Sequence, residues 1–391
     1  MKGDKIIFIH EGAITNTIVR MYILDKYISY GYDVELWSLR FLRILWNSLP
    51  DEIDYDNYFK FESFTEFKKK IKEKDKRHTI IISSIADNFA NRHINFLLHK
   101  EKFAFVFVYP YGDINFERGN KIKDRVRMAF SSNIFRKLLP EIKKIVYNRI
   151  LKPIHCPDFD NHIIACQEPR VLAINSNDYE AYLALEMEQT REIQEKYILF
   201  IDISYPTHPE MPYFYGVWDL DAKPYLSVMN SFFELIEKKY QLPVVIALHP
   251  KSTYSSSDFG GRATYKYKTH KLIKDAEAIL THLSASTTLA VLYNKPTLFC
   301  YPQYMLDKTS KVVLKLIWFA ESLGKQAVNI DEVREEAMEI TPFPEEYREA
   351  FIYSTMTTKD HENLTNDRII IPFIEEIFNK LEKGEDMPYN S

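Results

Sequence analysis

Two rhythms of apolar residues alternate along nearly the whole chain. Short unbroken apolar runs carry the pattern of strands buried on both faces. Between them, apolar residues three and four apart carry the pattern of helices with one buried side. In the first half, Lys5–His10 (KIIFIH) predicts a strand, 15–30 an amphipathic helix and 32–37 a strand. Next come a helix over 63–74, opened by the possible capping box Ser63-Phe-Thr-Glu66, a strand over 78–83 and a helix over 88–99. Ala104–Tyr109 and 161–166 add two more strands. After a connecting region (168–196, helical from 178 to 195) the alternation resumes. A strand at 197–202, a helix at 224–240, the run Pro243-Val-Val-Ile-Ala-Leu and the run Ala278-Ile-Leu-Thr lead into a strand at 296–300. A helix over 310–323, a strand over 326–330 and an amphipathic helix over 367–383 close the pattern.

Strands separated by helices of this length predict βαβ units and parallel sheets. At 391 residues the chain exceeds the size of one hydrophobic core. The fold expected is therefore α/β, with two Rossmann-like domains whose parallel sheets face each other across a cleft. The N-terminal domain is expected over 1–175, a connecting region over 176–196 and the C-terminal domain over 197–366. The last helix and tail, 367–391, would pack back on the N-terminal domain. Ligands of such sheets lie beyond the carboxyl ends of the strands, which is where the polar residues of interest fall.

Composition removes several function classes. A formal net charge of −4 argues against general nucleic-acid binding. Cys156, Cys166 and Cys300 have neither metal-ligand spacing nor the even count of a disulfide framework, which points to a reducing cytoplasm. The start Met1-Lys-Gly-Asp-Lys has no signal-peptide character, and no apolar run reaches the roughly 18 residues of a membrane span. With 10 glycines and no GxGxxG or P-loop pattern, any bound phosphate must be held by helix ends and side chains.

Two strand-to-helix junctions supply such groups. The first ends in His249-Pro250-Lys251 and the second in His282-Leu-Ser284-Ala-Ser286-Thr287-Thr288. Chance gives about 0.5 His-Pro dipeptides at this composition, yet there are two, His208-Pro209 and His249-Pro250. Ser and Thr also serve as ordinary helix caps, but four hydroxyls among five small residues exceed what a cap needs. A positive imidazole on one lip and hydroxyls at a helix start on the next make a receptor for a phosphate. His10, Asp202, His208, Arg262 and His282 join them as weaker substrate-binding candidates.

On these residues, 197–300 resembles the C-terminal half of bacterial GT-B-fold glycosyltransferases that use CMP-activated acidic sugars, the sialyltransferase, polysialyltransferase and Kdo-transferase type. His249-Pro250 is similar to that family's HP motif, and Ser284, Ser286 and Thr287 to its Ser/Thr motif. The resemblance implies an inverting, metal-independent transferase with no cofactor besides its CMP-sugar donor. His249, Pro250, Lys251, Ser284, Ser286 and Thr287 would hold the nucleotide phosphate, and a glycan or lipid-linked glycan would be the acceptor. The family's acidic pair before a glycine is not matched: the corresponding strand end reads Tyr109-Pro-Tyr111-Gly112-Asp113. Asp113 and Glu11, in His10-Glu11-Gly12, are the two candidates for the base. Two alternatives stand beside this reading, a CDP-polyol phosphotransferase of the same fold and a non-catalytic nucleotide- or glycan-binding partner in a polysaccharide assembly complex.

The triplets Asp54-Tyr-Asp56, Asp158-Phe-Asp160 and Asp219-Leu-Asp221 read as solvated loop acids rather than metal ligands. Residues 121–152 carry ten basic side chains against two acids, interleaved with apolar ones. Such a segment suits either a solvated helix face or docking on anionic lipid at the inner face of a bacterial inner membrane.

Overall fold

The computed structural model describes residues 3–42, 53, 55–85, 91–109, 162–165, 172–188, 190–209, 211, 217, 220–332 and 338–385. Asp113, the basic stretch 121–152, Cys156, Cys166, Asp54, Asp158, Asp160 and Asp219 lie outside them. The chain divides into two units. Unit 1 holds 1–113, 119–177 and 357–391, and unit 2 holds 114–118 and 178–356. Together they form the GT-B fold, two Rossmann-like α/β units each built on a parallel sheet.

Unit 1 contains β1 (Lys5–His10), β2 (Asp33–Leu39), β3 (Tyr58–Phe61), β4 (Thr79–Ser83), β5 (Ala104–Tyr109), β6 (His162–Ala165) and β7 (Leu172–Ile174). They lie side by side as β3-β2-β1-β4-β5-β6-β7, with every pairing parallel. Helices cover both faces, so Ile6, Ile7, Phe8 and Ile9 are all buried, which explains the unbroken apolar run of β1.

The helix expected over 15–30 is two, α1 (Asn16–Met21) and α2 (Leu24–Ser29), broken at Ile23 with φ 50°. One continuous helix would turn Tyr22 and Leu24 about 200° apart. The break lets Tyr22, Ile23, Leu24 and Tyr27 enter one core instead. α3 (Phe64–Lys72) starts at its expected cap, where the Ser63 hydroxyl accepts from the Glu66 amide. α4 (Arg92–Lys100) follows β4.

The chain leaves through α5 (Asn177–Glu186) into unit 2. There β8 (Ile198–Ile201), α6 (Ala222–Tyr240), β9 (Val244–Leu248), β10 (Thr264–Lys266), α7 (Thr269–Asp275) and β11 (Ala278–Thr281) follow. Next are α8 (Thr287–Leu292), β12 (Thr297–Tyr301), α9 (Gln303–Ser322), β13 (Ala327–Asn329) and α10 (Glu345–Thr355). The sheet order is β10-β9-β8-β11-β12-β13, again all parallel. α9 is kinked at Thr309 (φ −141°, ψ 52°), beside the position where the sequence pattern predicts its start.

The last helix, α11 (Asn366–Lys383), returns to unit 1, where Ile369, Ile370, Ile371, Ile374, Ile377 and Phe378 join the core of β1, β2 and β4. A buried polar knot joins the outgoing and returning segments. Asn175 N–H donates to Asn366 Oδ1 (2.8 Å), Asn366 Nδ2 to Asn175 O (3.0 Å), and Thr357 Oγ1 to Asn175 Oδ1 (2.7 Å).

Candidate active site

In both sheets the first strand sits centrally and the order reverses between it and the fourth. That reversal is the switch point at which α/β sheets bind ligands, beyond the carboxyl ends of the strands. In unit 2 it lies between β8 and β11, with β9 on the far side of β8. The carboxyl ends therefore present in order the loop with His249, the loop with Asp202 and His208, and the turn with Ser284 and Ser286. At about 4.8 Å per strand, the ends of β9 and β11 are about 10 Å apart.

Asp202 organises this edge. Its Oδ1 accepts from the Ser204 N–H (2.8 Å) and its Oδ2 from the His249 N–H (3.2 Å), tying the loop after β8 to the loop after β9. The side chain is buried, which pushes its pKa up to about 6 against the opposing effect of those backbone donors. It is a positioning group rather than a ligand contact, and this corrects the substrate-binding expectation for Asp202. The histidine whose turn it ties is one of a pair: the rings of His208 and His249 lie 4.8 Å apart, edge to face. His249 Nδ1 accepts from the Lys251 N–H (3.1 Å), so the ring proton resides on Nε2. Nε2 is then the ring's donor atom. Pro250 and Lys251 continue the same turn and are exposed.

On the other side of the switch point, the N–H groups of Thr287, Thr288 and Leu289 donate to the carbonyls of Ser284, Ala285 and Ser286. The hydroxyls of Ser284 and Ser286 are half-buried and have no partner among the described residues. Thr287 is different. Its side chain is fully buried, with Oγ1 3.4 Å from Thr281 Oγ1, so its hydroxyl serves the interior and not a ligand. Thr288 is likewise turned inward, donating to Asp178 Oδ2 (2.6 Å).

Two further expectations are corrected. His282 is completely buried, and its Nδ1–H donates to the Cys300 carbonyl (2.5 Å). Its Nε2 accepts from the Tyr225 hydroxyl (3.0 Å), and burial lowers its pKa to about 4, so it is a neutral core residue. Cys300 is a buried free thiol raised to about 12 by the same cause. Arg262 precedes β10, whereas His249 follows β9, and parallel strands put these positions on opposite edges of the sheet. Arg262 forms a two-pronged pair with Glu237 (Nε–Oε1 3.0 Å, Nη2–Oε2 2.7 Å) beside a shallow depression of about 500 Å³ at the amino ends of the strands. Asp221, from the third acidic triplet, caps α6 through the Lys223 N–H.

In unit 1 the switch point lies between β1 and β4, and His10-Glu11-Gly12 stands there. His10 Nδ1 and Ser84 Oγ hydrogen-bond at 2.7 Å across it. Gly12, at φ 96°, turns its carbonyl to accept from Ser38 Oγ on β2 (2.5 Å). Asn91 Nδ2 donates to Glu11 Oε2 at 3.4 Å. Glu11 is thus a half-buried carboxylate held at the place in the sheet where ligands bind. Among the described residues, no group of three or more His, Cys, Asp or Glu side chains is arranged to hold a metal, and no helix is long and apolar enough to cross a membrane.

Comparison with protein-family models finds no match, and comparison with curated proteins finds none either. Solved structures do match over essentially the full length. The chain is similar to CalG4, the calicheamicin glycosyltransferase, at 10% identity and a TM-score of 0.53, covering 99% of this chain and 100% of that one. It is also similar to the glycosyltransferase of kitacinnamycin, at 7% identity and a TM-score of 0.50, covering 96% and 99%. At such identities the likeness establishes the fold, and the chain is of the GT-B class. Its substrates have to be argued from its own residues.

Proposed function

We propose that the chain is a glycosyltransferase that moves an acidic sugar of the sialic acid or Kdo kind from a CMP donor to a glycan hydroxyl, with inversion and without a metal. The observation that carries this reading is the His208–His249 pair, with the His249 turn tied by Asp202, at the same switch point as the hydroxyls of Ser284 and Ser286. Loss of CMP from the donor leaves an oxocarbenium-like sugar and puts new negative charge on the phosphate. Fixed imidazole N–H and hydroxyl donors stabilise that charge as it forms, the effect that usually contributes most to such catalysis. Glu11, or Asp113, would take the acceptor proton. The acceptor is a glycan or lipid-linked glycan of a bacterial surface polysaccharide, with 121–152 as the segment that would meet an anionic cytoplasmic membrane face.

His249→Ala is expected to abolish acceptor-dependent CMP release while the protein stays folded. An unchanged rate removes the proposal. A second reading is favoured by the closeness of the two imidazoles, because two donors side by side suit two phosphate groups, as in a CDP-activated polyol phosphate. Thermal shifts with CMP, CDP, UDP and GDP separate the readings, since a ligand at about 100 times its Kd stabilises by about 2.7 kcal/mol. A larger shift with CDP than with CMP favours the phosphotransferase.

A further inference from the structure

One aromatic residue at the carboxyl edge of the unit 2 sheet is strained and almost bare. Tyr267 follows β10 directly, has φ 63° and is 77% exposed. A bulky residue in the left-handed region costs free energy that glycine would not. Other residues with this backbone have an evident local reason for it: Ile23, at φ 50°, is only 8% exposed and belongs to the unit 1 core, exposed Lys102 and Gln241 stand where α4 and α6 end, and Asn363 is of a type that tolerates it. Tyr267 gains no such burial, and strain that contributes nothing to packing points to function.

Its position gives the function a direction. Lys266 pairs with Leu248 in the β10–β9 register, so Tyr267 stands level with His249, about 4.8 Å away in strand spacing. Lys266 Nζ donates to the Ser252 carbonyl (2.7 Å), and the Ser252 N–H donates to the His249 carbonyl (2.8 Å), which pins the end of β10 to the His249 turn. A phosphate held over β8 by His208 and His249 has the hydroxyl turn of β11 on one side and Tyr267 on the other. A nucleoside extending from that phosphate away from the switch point brings its base to the β10 end. A flat, solvent-facing ring is the group that stacks on a base without requiring hydrogen bonds.

We propose that Tyr267 is the stacking platform for the nucleobase of the nucleotide held at His208 and His249. The inference rests on the nucleotide-binding part of the proposed function. The test measures binding by the full-length chain of the tightest ligand among CMP, CDP, UDP and GDP, with ribose 5-phosphate as the comparator that lacks a base. Tyr267→Gly is expected to weaken nucleotide binding about tenfold to a hundredfold. It should leave ribose 5-phosphate binding unchanged and raise the unfolding temperature of the ligand-free protein, because the strain is relieved. Tyr267→Phe and Tyr267→Trp should retain nucleotide affinity. Unchanged nucleotide binding in Tyr267→Gly overturns the inference alone. Equal loss for both ligands also overturns it, as does a change confined to the KM of the acceptor. A wild-type protein that binds none of the four nucleotides overturns the underlying reading as well.

Discussion

Asp202 holds its proton to a higher pH than an ordinary carboxylate because it is buried, and this has a measurable consequence. The unfolded chain loses that proton near 3.8, while the folded chain keeps it to about 6. Over that window the folded state binds more protons, so raising the pH removes stability, by about 3 kcal/mol in all. Asp202→Asn cannot titrate. Its stability relative to the wild type should therefore rise between pH 4 and pH 7, read from unfolding temperatures at each unit of pH. A constant difference would show that the carboxylate is already ionised through the whole range. Residue types alone do not separate Asp202 from a ligand contact, because a carboxylate at a strand end reads the same whether it faces a substrate or a backbone amide. Residue types are as silent about His282. Its pairing with Tyr225 and Cys300 bridges 57 and 18 residues of sequence.

At the scale of elements, strands buried on both faces were legible because helix-covered parallel sheets leave them no polar positions. The edges were not. β10 and β7 are three residues each, and every residue of β10 is half-buried, so they carry no readable rhythm. β10 matters to the site, because its register with β9 is what places Tyr267 beside His249. The turn before α8 was legible as a hydroxyl cluster but not as a mixture of inward and outward groups. Ser284→Ala with Ser286→Ala should weaken CMP binding about tenfold, in line with two lost hydrogen bonds of roughly 0.5–1.5 kcal/mol each. Thr287→Val should leave binding unchanged, and titration calorimetry distinguishes the two. At the opposite edge, Arg262→Gln is expected to lower the unfolding temperature, because half-buried Glu237 loses its partner. The Kd for CMP should not move, and a weaker Kd would return Arg262 to the site.

For the whole molecule, the repeated alternation of strand and helix predicted two parallel-sheet units, and the structure has them. The shared strand order also puts Glu11 in unit 1 and the histidine pair in unit 2 at equivalent switch points. Division of labour between the units then predicts a division of kinetic effects. Glu11→Gln should lower turnover by at least a hundredfold and leave the CMP-induced thermal shift intact. If turnover survives in Glu11→Gln and collapses in Asp113→Asn, the base is Asp113.

The knot at Asn175, Thr357 and Asn366 bears on how the polypeptide is made. Among the described residues, unit 2 is one uninterrupted stretch, whereas the core of unit 1 needs α11, which is synthesised after all of unit 2. Domains generally fold as units while the ribosome extends the chain. The half that emerges first is therefore the last to close, and until its final helix arrives the apolar surface that α11 covers beside α2 and β7 has to wait in water.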